Sequence, residues 1–588
     1  MPIPSSYARL AWALPLVCVA AAPAVAQTTT STSLFASPNP VQAGGKITLT
    51  AAVTANLGGI KVSAGTVDFC RVDVTGSTQC SPTDRIGSAQ VINGQASLVT
   101  IPYIGQPRYV ARYRGTKQYS ASISQYQVTV NGSFPTQTSI GTPTGSGPYT
   151  LPVTVTGITQ STTTYPTGQI SIIDTSNNNN VLATALLTKG QYGIQSNQQI
   201  YPVGTLPNSL VASDFNRDGV TDFATTNKTS NNITAYFSQA GGTFFQQTYN
   251  TLSSPYPIAS ADFNNDGYID LAVGAPGKIA VHIGFGSGFQ SGPVSVGASD
   301  FAAMAPGDFN LDGNIDLAVV SSTAPEIYLG DGTGKFTAVY PSIPGNDTSE
   351  FAASIDVGDF NKDNHLDVIV PGGTAGNVWI LFGRGDGNLD ASRIVIGGTT
   401  ETVAVADFDL DGNLDFVAGV KGTNGEGGAV IWQGNGGVFQ HRETLPIANG
   451  RNVSVTVGDF NADGWADIGE TDYSADAGGS PSQAQIFLAT GQPWGFKPPF
   501  TFAPGLWPRS PVVGDFNGDG FSDLAIANAH SNNVTVATVQ PTITAKATAS
   551  VPVPAGAGTH NVLARYPGDS RFAASESSTI PLTGKTQP

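Results

Sequence analysis

Seven acidic nine-residue segments recur along this chain in one frame, and that frame limits the folds open to it. The first reads Asp214-Phe215-Asn216-Arg217-Asp218-Gly219-Val220-Thr221-Asp222, and the others begin at Asp262, Asp308, Asp359, Asp407, Asp459 and Asp515. Every copy has Asp at its first, fifth and ninth positions, Phe at the second, and Asn or Asp at the third. Gly holds the sixth position except in the fourth copy, where Asn364 replaces it. Oxygen-bearing side chains on alternate residues of a tight loop converge on one hard cation, and the sixth-position Gly permits the turn that brings them together. Asn tolerates positive φ better than other non-Gly residues, so the fourth loop is expected to be weakened but kept.

The acidity of the chain is mostly the acidity of these loops. The formal charge is −16, and the loops hold 22 of the 42 acidic residues. One Ca2+ in each loop would nearly cancel that charge. The balance argues against nucleic acid or an anionic membrane surface as partner. A length of 588 residues implies several domains. Short runs rich in Val, Ile, Thr, Tyr and Phe, broken by Gly, Asn and Pro, point to an all-β protein.

Residues 1–26 read as an export signal, with Arg9, an apolar run from Leu10 to Ala22, and the small residues Ala24-Val25-Ala26 before Gln27. A secreted or cell-surface location follows, with no transmembrane segment after cleavage. Cys70 and Cys80 then remain, in what reads as a strand, a polar turn and a return. An oxidising compartment favours their disulfide, which would contribute roughly 2–3 kcal/mol. A zinc site is the rival reading, weakened by the lack of nearby His.

Residues 28–132 carry alternating β segments at the spacing of an immunoglobulin-like sandwich. The runs 37–54, 64–69, 93–98 and 111–122 resemble a bacterial immunoglobulin-like repeat, which implies a stalk or spacer. A second such unit begins in 133–190, where Tyr149 to Val155 and Pro166 to Ile172 match the early strands, and then stops halfway. Its missing part lies in 541–588, where Leu563-Ala564-Arg565-Tyr566 lines up with Val110-Ala111-Arg112-Tyr113. The expected architecture is therefore a repeat region, 191–540, inserted into a second sandwich whose halves reunite around it. Two separate half-domains would leave open sheet edges.

The acidic segments start 46 to 56 residues apart, with about four short strands to each unit, which is the mark of a β-propeller blade. The seventh unit lacks a fourth strand, and Gln198-Gln199-Ile200-Tyr201-Pro202-Val203, ahead of the first unit, is the candidate to supply it. The expected fold is thus all-β: a seven-bladed β-propeller inserted in an immunoglobulin-like sandwich and preceded by another. The Asp-Phe-Asn-x-Asp-Gly-x-x-Asp loops, Gly274-Ala275-Pro276 and Phe382-Gly383 resemble the FG-GAP (VCBS-type) repeat family of integrin-α-like propellers. That resemblance implies Ca2+ in loops on one face and ligands elsewhere.

The expected ligands are the first, third, fifth and ninth side chains, with a backbone carbonyl from the seventh position. They are Asp214, Asn216, Asp218 and Asp222 in the first loop, and Asp262, Asn264, Asp266 and Asp270 in the second. Asp308, Asn310, Asp312 and Asp316 serve the third, and Asp359, Asn361, Asp363 and Asp367 the fourth. The fifth has Asp407, Asp409, Asp411 and Asp415, four carboxylates, and should bind most tightly. Asp459, Asn461, Asp463 and Asp467 form the sixth, and Asp515, Asn517, Asp519 and Asp523 the seventh. Asx-type turns holding water are the alternative for single loops.

No nucleophile elbow, phosphate loop or zinc motif accompanies the five His, and every strong carboxylate pair belongs to a loop. Arg384-Gly385-Asp386 matches a cell-attachment tripeptide, by chance in so Gly- and Asp-rich a region. Trp379 and Trp432 lie in strand-like runs and read as core, whereas Trp494 and Trp507 lie in Pro/Gly-rich loops and are candidates to stack on a glycan. The first functional reading is adhesion, or the binding of an extracellular protein or glycan. An extracellular glycosidase or polysaccharide lyase with a scattered site is the second. An architectural envelope component is the third.

Overall fold

The computed structural model describes residues 27–585 apart from 44, 63, 73–79, 81–84, 103, 160–163, 240–242, 298–299, 322–324, 340–353, 422–426, 448–452 and 473–481. The expected export signal lies outside the described residues. All the regular structure described is β.

Each acidic segment joins the first two strands of a four-stranded antiparallel sheet. In the first sheet Pro207–Ser213 pairs with Asp222–Asn227, which pairs with Asn232–Gln239, which pairs with Thr243–Asn250. Five further sheets repeat this order. The first strand of each sheet touches that of the next, and Pro508–Gly514 of the last touches Pro207–Ser213 of the first, so the sheets close into a ring of blades. The second strands are buried along almost their whole length, because blades pack on both of their faces.

The second-position Phe explains much of how the blades pack. All seven are 3% exposed or less. Phe215 meets Phe289 of the second blade edge-on at 5.2 Å, Phe263 meets Phe336 of the third at 5.4 Å, and Phe360 meets Phe439 of the fifth at 5.7 Å. Each ring leaves its own loop and wedges against the next blade, where aromatic burial outweighs any single hydrogen bond.

The seventh sheet is completed from far away in the chain. Its first two strands, Pro508–Gly514 and Asp523–Asn528, pair in the usual way, and the third is the start of Asn533–Val551. The fourth is Thr188–Pro202, with Gln198 opposite Ala537 and Tyr201 opposite Val534. The strand expected from Gln198 to Val203 thus covers the edge that the last blade would otherwise expose.

Both of these long strands run on beyond the ring. The far half of Asn533–Val551 pairs with Tyr149–Ile158, and Gln169–Asp174 pairs with Gly558–Tyr566, Ser171 lying opposite Arg565. Leu151, Val153, Ile170 and Ile172 share one core with Ile543, Ala545, Val562, Ala564 and Tyr566. Buried Asp174 and His560 join the same two segments at 2.6 Å. Ahead of them, Thr30–Ser37, Ile47–Ala55 and Gln95–Thr100 form one sheet of an N-terminal sandwich. Arg85–Gln90, Thr66–Val72, Arg108–Tyr113 and Ser122–Gln127 form the other. Cys70 and Cys80 are joined by a disulfide with Cα atoms 5.4 Å apart.

Candidate metal centre: the acidic loop face

The seven loops share one hydrogen-bond plan. In the first, Asp214 accepts the backbone N–H groups of Asp218 at 2.9 Å and Gly219 at 2.7 Å. Asn216 Oδ1 also accepts from Asp218, at 2.8 Å, and Asp218 Oδ1 accepts from Val220 at 2.8 Å. Asp222 accepts from Phe215 at 2.8 Å and, across the hairpin, from Ser238 at 2.6 Å. The fifth loop repeats these contacts with Asp407, Asp409, Asp411 and Asp415. The side chains named from sequence as metal ligands therefore also fold the loop. The ninth-position Asp is the one that pins the loop to the third strand.

Two positions in each loop adopt positive φ. The sixth was foreseen, and Asn364 takes φ 68° where Gly stands in the other loops. The fourth was not: Arg217, Asn265, Leu311, Lys362, Leu410 and Ala462 lie between 55° and 61°, and Gly518 at 73°. No side-chain chemistry at this position advertises the left-handed turn. The regular frame around it was the only available signal.

Burial sets the electrostatics. The ninth-position Asp residues are all fully buried. That burial pushes the Asp222 and Asp415 carboxyls up to about 8, and those of Asp270, Asp316 and Asp367 to about 7. Asp214, Asp262, Asp308 and Asp407 rise to about 6 for the same reason. Carboxylates gathered out of water beside one another favour either a proton or a metal ion.

The fifth loop fits a metal ion on geometry. One oxygen from each of Asp407, Asp409 and Asp415 lies within 4.8 Å of the others, the one such acidic group among the described residues. Asp411, the fourth carboxylate expected there, is not part of that group. Hard carboxylate oxygens in this number suit Ca2+.

The remaining candidates are mostly engaged within the fold. Trp507 stacks on His530 with centroids 3.6 Å apart, and the Arg509 guanidinium carbon lies 5.5 Å from its ring centre. Trp494 is half-buried against the core of the fifth and sixth blades, with Arg442 5.8 Å from its ring. Neither is an open platform. Trp379 is core, as expected, whereas Trp432 is only half-buried and stacks on Phe416 at 6.2 Å. Arg384 of the tripeptide pairs with Asp390 at 2.8 Å. His365 is half-buried, its Nδ1 3.3 Å from Asp363.

Two carboxylates outside the loops, Glu401 and Glu470, were missed from sequence. Glu470 follows the ninth-position Asp by three residues, where Val273, Val319, Val370 and Ile526 stand in other blades. It is fully buried, and neither oxygen has a hydrogen-bond partner among the described residues.

Residues 214–273, 262–319, 308–370 and 407–469 match the model of the FG-GAP-like repeat, and 507–539 that of the FG-GAP repeat. Residues 34–131 match the bacterial Ig-like domain (group 3). No curated protein matches the chain. Among solved structures it is similar to an Agrocybe aegerita lectin that recognises non-reducing terminal N-acetylglucosamine. That match has 15% identity and a TM-score of 0.39, over 61% of this chain and all of the lectin. It is also similar to the periplasmic gluconolactonase PpgL of Pseudomonas aeruginosa, with 14% identity over 67% of this chain and 99% of that one, TM-score 0.38. The Dos1 propeller matches at 12% identity, over 59% and 95% of the two chains, TM-score 0.35.

Proposed function

The chain is a protein of FG-GAP-like repeats with a bacterial Ig-like domain, and we propose that it is an exported, Ca2+-binding adhesion or ligand-binding module. In this reading residues 191–540 are a seven-bladed propeller inserted into a second immunoglobulin-like sandwich formed by 133–190 and 541–588. Up to seven Ca2+ ions occupy the loops, held by the four side chains expected of each. The repeated gathering of buried carboxylates, densest at Asp407, Asp409 and Asp415, carries the reading. Calcium bound there offsets much of the loops' negative charge and stabilises the folded state by mass action. The partner is an extracellular protein or a glycan.

Thermal unfolding in Ca2+ and in chelator, with metal content counted by mass spectrometry, tests this. About seven ions per chain and a large fall in midpoint on chelation are expected. No bound metal and no shift would leave the loops as turns alone. A glycan array probed in calcium then tests the ligand class.

A second reading, an extracellular carbohydrate-active enzyme, draws on two carboxylates outside the loops. Burial pushes Glu401 up to about 7 and raises Glu470 well above the usual range, the condition suited to a general acid. Polysaccharide turnover that disappears in Glu401→Gln or Glu470→Gln would favour it over the first.

A further inference from the structure

The N-terminal sandwich lies on the acidic loop face, and its charge is opposite to that face. Residues 27–132 contain eight Lys and Arg but only three Asp, in a chain whose overall charge is −16. Arg71 donates from Nη1 to the carbonyl of Gly520 in the seventh loop at 2.7 Å, and its Nη2 lies 3.9 Å from Asp459 Oδ2 in the sixth. Both side chains are about nine-tenths buried, at 12% and 9% exposure. Lys46 donates to the carbonyl of Asp218 in the first loop, with its Nζ 3.7 Å from Asp218 Oδ1. The backbone of Lys117 donates to the carbonyl of Leu311 in the third at 2.7 Å.

Apolar contacts complete the interface. A Cβ built on Gly219 would stand 2.9 Å from Val99, one on Gly518 3.2 Å from Ile101, and one on Gly313 3.0 Å from the backbone of Gly65. The loop glycines thus make room for the sandwich as well as for the turn.

We propose that the N-terminal sandwich is a cationic cap on the acidic loop face, and that Arg71 is the resident counter-ion of the sixth and seventh loops. It holds there part of the positive charge that Ca2+ supplies to the loops. The carbonyls used by Arg71 and Lys46 belong to the sixth and fifth positions of their loops, not to the seventh-position carbonyl expected to face the ion. Cap and calcium can therefore be present together, with mutual repulsion between the guanidinium and the ion. A partner macromolecule is left the opposite ends of the blades.

The counter-ion role rests on the calcium reading; the cap does not. The test uses the full chain with neutral, similarly sized Arg71→Met, charge-keeping Arg71→Lys, and Lys546→Ala on the exposed surface of the other sandwich as control. Arg71→Met should lower the unfolding midpoint more in chelator than in saturating Ca2+, and should tighten the weakest calcium sites several-fold. Arg71→Lys should restore most of both. Equal losses with and without calcium, or weaker calcium binding, would overturn the counter-ion role in favour of simple packing. Small-angle scattering reads the cap by itself. The wild-type chain should stay compact and Lys46→Ala/Arg71→Met should extend at raised salt. A wild-type chain already extended overturns the cap. A wild-type metal count of zero overturns the calcium reading and the counter-ion role with it, while a compact chain would still support the cap.

Discussion

Asp222 and Ser238 are joined by a 2.6 Å hydrogen bond from the Ser238 backbone N–H to the Asp222 carboxylate. It ties the end of an acidic loop to the third strand of the same blade. The equivalent bond recurs in every blade, from Gly284, Gly330, Gly383, Gly434, Ala489 and Val539. The loops are thus parts of the blade hairpins whether or not they hold a metal ion, and substitutions should separate the two roles.

Asp415→Ala leaves the N–H groups of Phe408 and Gly434 without their acceptor. Each orphaned buried donor costs about 1–3 kcal/mol. The loss should appear in chelator, with no calcium present. Asp411 lies at the surface and serves only the local turn through Asn413. Asp411→Ala should cost less than about 1 kcal/mol in chelator while weakening calcium binding. Chemical denaturation of both variants with and without calcium checks this; equal losses in chelator would refute it.

Proton linkage follows from the raised carboxyls. An aspartate near 8 in the folded state, as at Asp222 and Asp415, binds a proton more tightly there than in the unfolded chain, where the usual value is about 4. In the calcium-free protein this contribution to stability is fully present below about pH 4 and is lost as pH rises through about 7–8. Calcium requires the ionised form, so its affinity should climb over the same range and binding at pH 7 should release protons. Calorimetric titration in buffers of different ionisation enthalpy measures that release. A release of zero would mean the carboxylates are already ionised.

The repeat frame, the ring-closing strand at Gln198 to Val203 and the cysteine pair were legible in the sequence because each is a local chemical signal. The reunion of Tyr149 to Val155 with the chain beyond 541 was legible because two stretches of one sandwich resemble each other. The left-handed fourth position was not, since Arg217 and Leu311 look like ordinary residues there. Nor was the seat of the sandwich on the loops, which depends on Arg71 and Lys46 meeting carbonyls 449 and 172 residues away. The surroundings of Trp507 were hidden in a related manner: a Pro/Gly-rich loop suggested exposure, and His530 supplies a stacking partner from a neighbouring hairpin.

The second-position Phe gives a stability test independent of metal. Phe360 is 1% exposed and meets Phe439 of the following blade. Phe360→Ala should cost about 3–5 kcal/mol, to similar extents in calcium and in chelator. Phe360→Leu, which fills more of the space, should cost much less. A calcium-dependent loss would show that the ring acts through the loop and not through the blade interface.

Glu470 sets function against stability most sharply. Its carboxyl is buried with no hydrogen-bond partner among the described residues, at a position where the seventh blade has Ile526. Burial holds it well above the usual glutamate range. Glu470→Ile should therefore raise stability by about 1–3 kcal/mol, by removing polar atoms that pay desolvation without return. A stabilised variant with unchanged ligand binding and no change in any polysaccharide turnover would make Glu470 a tolerated flaw in the core. A stabilised variant that loses either activity would mark it as a functional acid, because stability sacrificed at one position and recovered by substitution is what a working site predicts.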